Sequence, residues 1–428
     1  MSEKFISPVR SLKGELHLPG DKSISHRAAI LGLLAEGQTR VYHFLTADDC
    51  LNTVKACQQL GAKVEIKGEE LNISGCGWVG LRPPKDVIDC GNSGTGVRLL
   101  AGVLAGQAFE SVITGDEQVQ RRPMRRIIDP LKAMGAEITS EPGGLCPLRI
   151  RGGNLSSLNY LSPVASAQVK SCLLLAGLYA RGRTLVTEPS SSRDHTERLM
   201  RYFGIPIRTE GLTVSVEGGV LPQGREITVP ADISSAAFFL VAAALLPGSD
   251  LRLFNVGMNR TRTGVLEVLR VMEADIAEDN PRTQAGEPVA DLAVKYRKRI
   301  QGAQIKGAKL IPRLIDELPI LAVAAAAAEG ETLIAEADEL RVKETDRISV
   351  LVQELKNIGV AIEERPDGML IRGGKILGGK ADSHGDHRLA MSLAVAGLVS
   401  EKGVTLNNPE CVRTSYPEFW DHLAAVTL

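Results

Sequence analysis

Six times along this 428-residue chain the same passage recurs: a short polar cluster, an Ala/Leu-rich stretch of helical length, a Gly or charged turn, then a β-branched run. The six passages are Gly20–Tyr42, Gly91–Ile113, Ser166–Val186, Asp232–Leu253, Ile315–Ile334 and Gly385–Leu406, with starts about 70 residues apart. That spacing exceeds the period of solenoid repeats, so each passage marks a subdomain and not one layer of an array. A second symmetry halves the chain. ELHLPGDKS at Glu15–Ser23 matches EITVPADIS at Glu226–Ser234. In each copy a strand alternates, Pro ends it, and Asp then Ser opens a helix. Two homologous halves of three units each are the economical account, and a chain of this length also exceeds what one core supports. We therefore expect two α/β domains with three-fold pseudosymmetry. The first spans 20–229 and the second 1–19 plus 230–428. A double crossover joins them, with Pro19 and Pro230 as candidate hinges.

Composition narrows the partners. The formal net charge of −1 and pI near 6.7 argue against nucleic acid or an anionic membrane, and aromatics at 4% are too few for base-stacking platforms. Any anion binding must come from local placement of positive groups. The seven cysteines are scattered without a C-x-x-C pair, which reads as reduced cytosolic thiols with no metal spacing. Met1–Arg10 has no apolar core of a signal peptide, and the runs Phe238–Pro247 and Leu321–Ala328 fall short of a membrane span. The expectation is a cytoplasmic protein.

The residues opening the repeats are Asp21-Lys22-Ser23, Asn92-Ser93-Gly94-Thr95, Ser166-Ala167-Gln168, Asp232-Ile233-Ser234-Ser235, Asp316-Glu317 and Asp386-His387-Arg388. Helix N-termini present free N–H groups and a positive dipole end, which attract phosphate and carboxylate. Each such residue alone reads better as a plain N-cap. Six alike in a pseudosymmetric chain suit a cleft for polyanions. Lys22, Arg27, Arg98, Lys170 and Arg388 sit at or near these starts. QRRPMRR at Gln120–Arg126 packs four arginines into six positions, and LRVKETDRI at Leu340–Ile348 places Lys343 and Arg347 at i,i+4. On one helix those two repel, which a solvated face tolerates and a bound anion explains better. GNSGTG at Gly91–Gly96 lacks the dinucleotide register, and GDKS at Gly20–Ser23 lacks the upstream Gly of a P-loop. His384, Asp386 and His387 form a cluster too short for a zinc site, so no metal and no cofactor are expected.

The motifs LPGDKSISHR (Leu18–Arg27), GNSGTGVR (Gly91–Arg98), RRPM (Arg121–Met124), SAQVKS (Ser166–Ser171), RDHTE (Arg193–Glu197), NRTRTG (Asn259–Gly264), VKETDR (Val342–Arg347) and GDHRLAM (Gly385–Met391) stand in this order over nearly the whole chain. In that set the sequence resembles the 5-enolpyruvylshikimate-3-phosphate synthase family, in the class that includes glyphosate-tolerant members. Gly94, in contrast, keeps the small residue typical of glyphosate-sensitive members. The resemblance implies two inside-out α/β domains, each of three βαβαββ repeats, with the active site in the cleft between them. It implies transfer of the enolpyruvyl group of phosphoenolpyruvate to the 5-hydroxyl of shikimate 3-phosphate by a monomer that needs no metal or nucleotide. By resemblance, Lys22, Ser23, Arg27, Ser166, Ala167, Gln168, Arg193, Asp316 and Lys343 contact shikimate 3-phosphate. Lys22, Asn92, Gly94, Arg122, Gln168, Arg347 and Arg388 hold phosphoenolpyruvate, with Gln168 between the two substrates.

The chemistry asks for one group to deprotonate a hydroxyl and another to deliver and retrieve a proton at carbon. Asp316 is assigned to the hydroxyl, and Glu344 with Lys22 to C3 and the bridging oxygen. The plainer readings are that Asp316 caps the helix of Leu314–Ala328 and that Glu344 pairs with Arg347 at i,i+3. The sister transferases acting on UDP-N-acetylglucosamine usually carry a reactive Cys in a loop that here, between Gly115 and Pro123, has none. A non-catalytic anion-binding protein on the same fold is the third reading. It would bind without turnover.

Overall fold

The computed structural model describes residues 2–78 and 80–428. The chain divides into two compact units. One comprises Gly20–Val229 with Thr283–Glu287, and the other the N-terminal stretch to Pro19 with Pro230–Arg282 and Pro288–Leu428. The short inclusion Thr283–Glu287 is the tip of a hairpin formed by Asp275–Gln284 and Glu287–Lys295.

Among the described residues each unit holds three sheets. In the unit of Gly20–Val229 one sheet runs Ile88–Asp89, Glu110–Thr114, Leu145–Arg151, Glu137–Glu141. Its first two strands are parallel and the other pairings antiparallel. The helix Gly94–Ala105 joins the parallel pair, and Arg125–Ala133 leads into the hairpin. This is a βαβαββ unit. The same order recurs for Asn159–Leu161, Arg183–Thr187, Thr213–Glu217 and Ile207–Glu210. In the third sheet the leading strand, Glu226–Thr228, comes from the far end of the segment to pair parallel with Gln38–Tyr42.

The second unit repeats the plan twice. Gln304–Ile305 pairs parallel with Glu331–Ile334, and Lys13–His17 pairs parallel with Asp250–Gly257. Its last sheet has three strands: Gly379–Asp382, Val404–Asn407 and the N-terminal Glu3–Ile6, which stands where the other sheets place a hairpin.

The six expected helices are Lys22–Leu34, Gly94–Ala105, Ala167–Gly177, Ile233–Leu245, Leu318–Ala327 and His387–Val399. They are buried nearly all round. LPILAVAAAA at Leu318–Ala327 buries every residue through Ala326, as a helix without a polar face must. In each unit these helices pack on one another inside, while strands such as Leu145–Arg151 alternate buried and exposed residues. The helices of Gly94–Ala105 and Ala167–Gly177 come so close that a Cβ on Gly102 would lie 2.2 Å from the carbonyl oxygen of Cys172. Only glycine fits there.

Candidate active site

Five of the six helix starts are true caps. Asp21 accepts from the N–H of Ile24, Ser93 from Gly96, Ser166 from Val169, Asp232 from Ser234, and Asp386 from Arg388 and Leu389. Capping does not compete with the anion reading, because the cap uses one side chain and leaves other first-turn N–H groups for a ligand. The exception is Leu318–Ala327, whose N-cap Glu317 makes no capping bond. Asp316 does not cap it either.

In the unit containing Leu318–Ala327, three predicted cations converge on Asp316, and Glu344 joins one of them. Arg347 Nη1 lies 3.4 Å from Asp316 Oδ1, Arg388 Nη2 3.8 Å from Oδ2 and Lys343 Nζ 4.0 Å from Oδ1. Glu344 Oε2 is 2.6 Å from Arg347 Nη2, the i,i+3 pair read from sequence. Arg347 is 1% exposed and donates from Nε to Asp386 Oδ2 at 2.7 Å and from Nη2 to Oδ1 at 3.2 Å. Burial works against its charge, yet Asp386, Glu344 and Asp316 outweigh that and push its pKa well up. Lys343 and Arg347 do not share a helical face. A 3-10 turn at Asp338–Val342 ends before Lys343, and the next helix begins at Arg347 under the cap of Asp346. Lys343 pairs with Glu339 at 3.1 Å and meets Arg347 only across Asp316, whose carboxylate offsets the repulsion inferred from spacing.

The unit of Gly20–Val229 gathers its residues in two groups. In the first, Gln168 links two helix starts: Arg98 Nη1 donates to its Oε1 at 2.7 Å, and its Nε2 donates to Thr95 Oγ1 at 2.8 Å. Gly94 lies against Arg122, whose Nη1 would be 2.8 Å from a Cβ there, and Asn92 donates to Asp116 and Gln118. In the second group Arg27, 4% exposed, donates to Thr196 at 2.6 Å, to Ser171 at 2.8 Å and to the Ser23 carbonyl at 2.9 Å. Lys22 pairs with Asp49 at 3.0 Å. Ser166 and Ala167 open their helix, and Arg193 lies half-buried in the loop before His195–Tyr202.

Lys170 departs from its sequence reading as an anion-binding cation. It is buried between Glu188 and Glu197, 2.8 Å from each. Asp49 and Glu188 carried no motif signal, since each lies distant in sequence from the cation it meets. The short cluster at His384–His387 is spent otherwise: Asp386 serves Arg347 and its own helix, and His384 Nε2 is 3.0 Å from Glu354. Among the described residues no three His, Cys, Asp or Glu side chains gather as a metal site, and no helix is long and apolar enough to cross a membrane.

The EPSP synthase (3-phosphoshikimate 1-carboxyvinyltransferase) family model matches residues 6–423. A 3-phosphoshikimate 1-carboxyvinyltransferase of Bacillus cytotoxicus is 51% identical over 419 residues, covering 97% of this chain and 98% of the relative. Another, from Alkalilimnicola ehrlichii, is 53% identical over 426 residues, with 97% and 94% covered. The solved structure of EPSP synthase from Acinetobacter baumannii aligns with a TM-score of 0.89 at 45% identity, covering 100% of this chain and 98% of that one.

Proposed function

The chain belongs to the EPSP synthase family and is a 3-phosphoshikimate 1-carboxyvinyltransferase, and we propose that Asp316, Glu344 and Lys22 handle the protons of its reaction. The enzyme transfers the enolpyruvyl group of phosphoenolpyruvate to the 5-hydroxyl of shikimate 3-phosphate in the shikimate pathway. The hydroxyl oxygen bonds to C2 as C3 takes a proton. The tetrahedral adduct then breaks its C2–phosphate oxygen bond as C3 gives a proton up, leaving an enol ether and inorganic phosphate.

The observation that carries the residue assignment is the convergence on Asp316 of Lys343, Arg347 and Arg388, with Glu344 on the same arginine. Asp316 accepts the hydroxyl proton. Glu344 and Lys22 serve C3 and the leaving oxygen. Arg122, Arg347 and Arg388, with Lys22, Asn92, Gly94 and Gln168, hold phosphoenolpyruvate. Arginine suits this task because its fork matches carboxylate and phosphate oxygens. An incoming anion competes with Asp316 and Glu344 for the same N–H groups, turning those carboxylates toward the reacting atoms. Ser23, Arg27, Ser166, Ala167, Gln168 and Arg193, with Lys22, Asp316 and Lys343, hold shikimate 3-phosphate. Positioning and charge stabilisation supply much of the rate. Seven free cysteines support a cytoplasmic protein acting on two small molecules.

Phosphate release from phosphoenolpyruvate, followed in EDTA without nucleotide, tests this reading. Release should require shikimate 3-phosphate, and D316A and E344A should each lower kcat by roughly 10²–10⁴. Release without shikimate 3-phosphate, release driven by UDP-N-acetylglucosamine, or full activity in both variants would overturn it.

A further inference from the structure

Lys170, Glu188 and Glu197 form a buried trio in the Gly20–Val229 unit, at 3%, 4% and 2% exposure. Two carboxylates meet one ammonium here, with Arg198 acting on Glu197 from outside the trio. Stability alone does not call for that, because an apolar replacement or a neutral pair is usually at least as good. Lys170 keeps its proton: burial disfavours its charge, and Glu197 and Glu188 more than restore it. Glu197 also lies in the first turn of His195–Tyr202, where a helix dipole welcomes a negative charge.

Glu188 is the member with work beyond the trio. Its Oε1 accepts the backbone N–H of Ser166 at 2.9 Å, and its Oε2 accepts the Ser192 hydroxyl at 2.8 Å. It therefore ties the residue that caps Ala167–Gly177 to the residue just before Arg193. On the other side of Arg193, Asp194 is held by Arg198 at 2.9 Å. A loop fastened on both flanks of one arginine leaves little freedom for that arginine's backbone.

Resting on the assignment of Ser166 and Arg193 to shikimate 3-phosphate, we infer that Glu188, held by Lys170, is a positioning residue that sets where this substrate sits. It touches no reacting atom. Its carboxylate fixes the spacing between a helix start and an arginine that must meet the same ligand, and the substrate's fit depends on that spacing.

The variant E188Q separates positioning from stability. It leaves Lys170 with Glu197 as a neutral pair, so the thermal midpoint should stay within a few degrees of the parent's. One amide cannot accept from Ser166 and Ser192 while facing Lys170, so the KM for shikimate 3-phosphate should rise at least ten-fold. The KM for phosphoenolpyruvate and kcat should move less than three-fold. S192A keeps the charges and removes one bond, and should raise the KM for shikimate 3-phosphate about three-fold; it decides the matter if E188Q does not fold. An unchanged KM for shikimate 3-phosphate, or equal losses for both substrates, overturns the inference. R193A is measured alongside. If it raises that KM and E188Q does not, positioning by Glu188 fails alone. If neither does, the assignment of this loop to shikimate 3-phosphate fails with it.

Discussion

Gly94 shows how much a single missing methyl can decide. It opens the Gly94–Ala105 helix without a positive φ, so alanine there meets no backbone objection. The obstacle is the neighbour: a Cβ would stand 2.8 Å from Arg122 Nη1 and 3.2 Å from Arg98 Nη1. The guanidinium of Arg122 has to shift, and its flexible stem lets it do so at little cost to folding. G94A should therefore raise the KM for phosphoenolpyruvate about ten-fold, roughly 1.4 kcal/mol of binding. It should leave the KM for shikimate 3-phosphate within two-fold and the unfolding midpoint unchanged. Steady-state kinetics with each substrate varied in turn decide this. An unaltered KM for phosphoenolpyruvate would remove Arg122 from that substrate's contacts. Residue-scale reading from sequence works for groups whose partners lie within one turn, as with Glu344 and Arg347. It fails for Lys170, because nothing in SAQVKS reveals two glutamates that only tertiary packing delivers.

Elements are tied together by polar struts as well as by apolar contact, and His26 is the clearest case. It lies fully buried on Lys22–Leu34, with Nδ1 2.8 Å from Thr53 Oγ1 on the helix Asp48–Gln59 and Nε2 3.4 Å from the cap residue Ser93. Thr53 gives its own proton toward the Asp49 carbonyl, so Nδ1–H donates to Thr53 and Nε2 accepts from Ser93. One neutral ring thus fixes three helices. Burial first, then Lys22 and Arg27, hold its pKa well below 6.5. The unfolded chain takes that proton more readily, so the ring's neutrality supports the fold above about pH 6.5 and stability drains away as pH falls beneath it. Each pH unit below costs up to about 1.4 kcal/mol from this one group. Urea unfolding at pH 7 and 5.5 should show the parent losing about 1 kcal/mol more than H26Q, with H26Q the less stable at pH 7. Parallel losses in both proteins would clear His26 of that role. The element pattern itself was legible: six Ala/Leu-rich helices with polar starts announce themselves by composition and, in five of the six, by caps. The three-stranded sheet was not, since pairing Glu3–Ile6 with Val404–Asn407 joins opposite ends of the chain and leaves no local trace.

At the scale of the whole chain, the internal match between Glu15–Ser23 and Glu226–Ser234 made the doubling of the architecture readable, because each copy repeats one strand, proline and cap. The hairpin tip at Thr283–Glu287 was unreadable: a turn in sequence gives no sign that its Glu287 will lie 2.8 Å from a buried His195. Among the described residues nearly all the buried apolar side chains fall into two clusters with no member in common, one within Ile24–Val229 and the other drawn from Ile6–Leu18 and Ala231–Val426. Separate cores are the physical basis for separate unfolding. The cysteines allow this to be seen directly. Cys50, Cys57, Cys76, Cys90, Cys146 and Cys172 belong to the first unit and Cys411 alone to the second. Burial pushes the thiols of Cys57 and Cys411 up to about 12 and that of Cys146 to about 11. At pH 8 such groups hold on the order of one thiolate in a thousand or fewer, and thiolate is the reactive form. The native protein should therefore react sluggishly with an aromatic disulfide reagent, half-buried Cys76 first, and all seven should react at once in concentrated guanidinium. Brief labelling pulses along a urea series, read by mass, should show the thiols of the first unit appearing as a group at a midpoint different from that of Cys411. Seven thiols emerging at one midpoint would mean that the two cores melt as a single cooperative body.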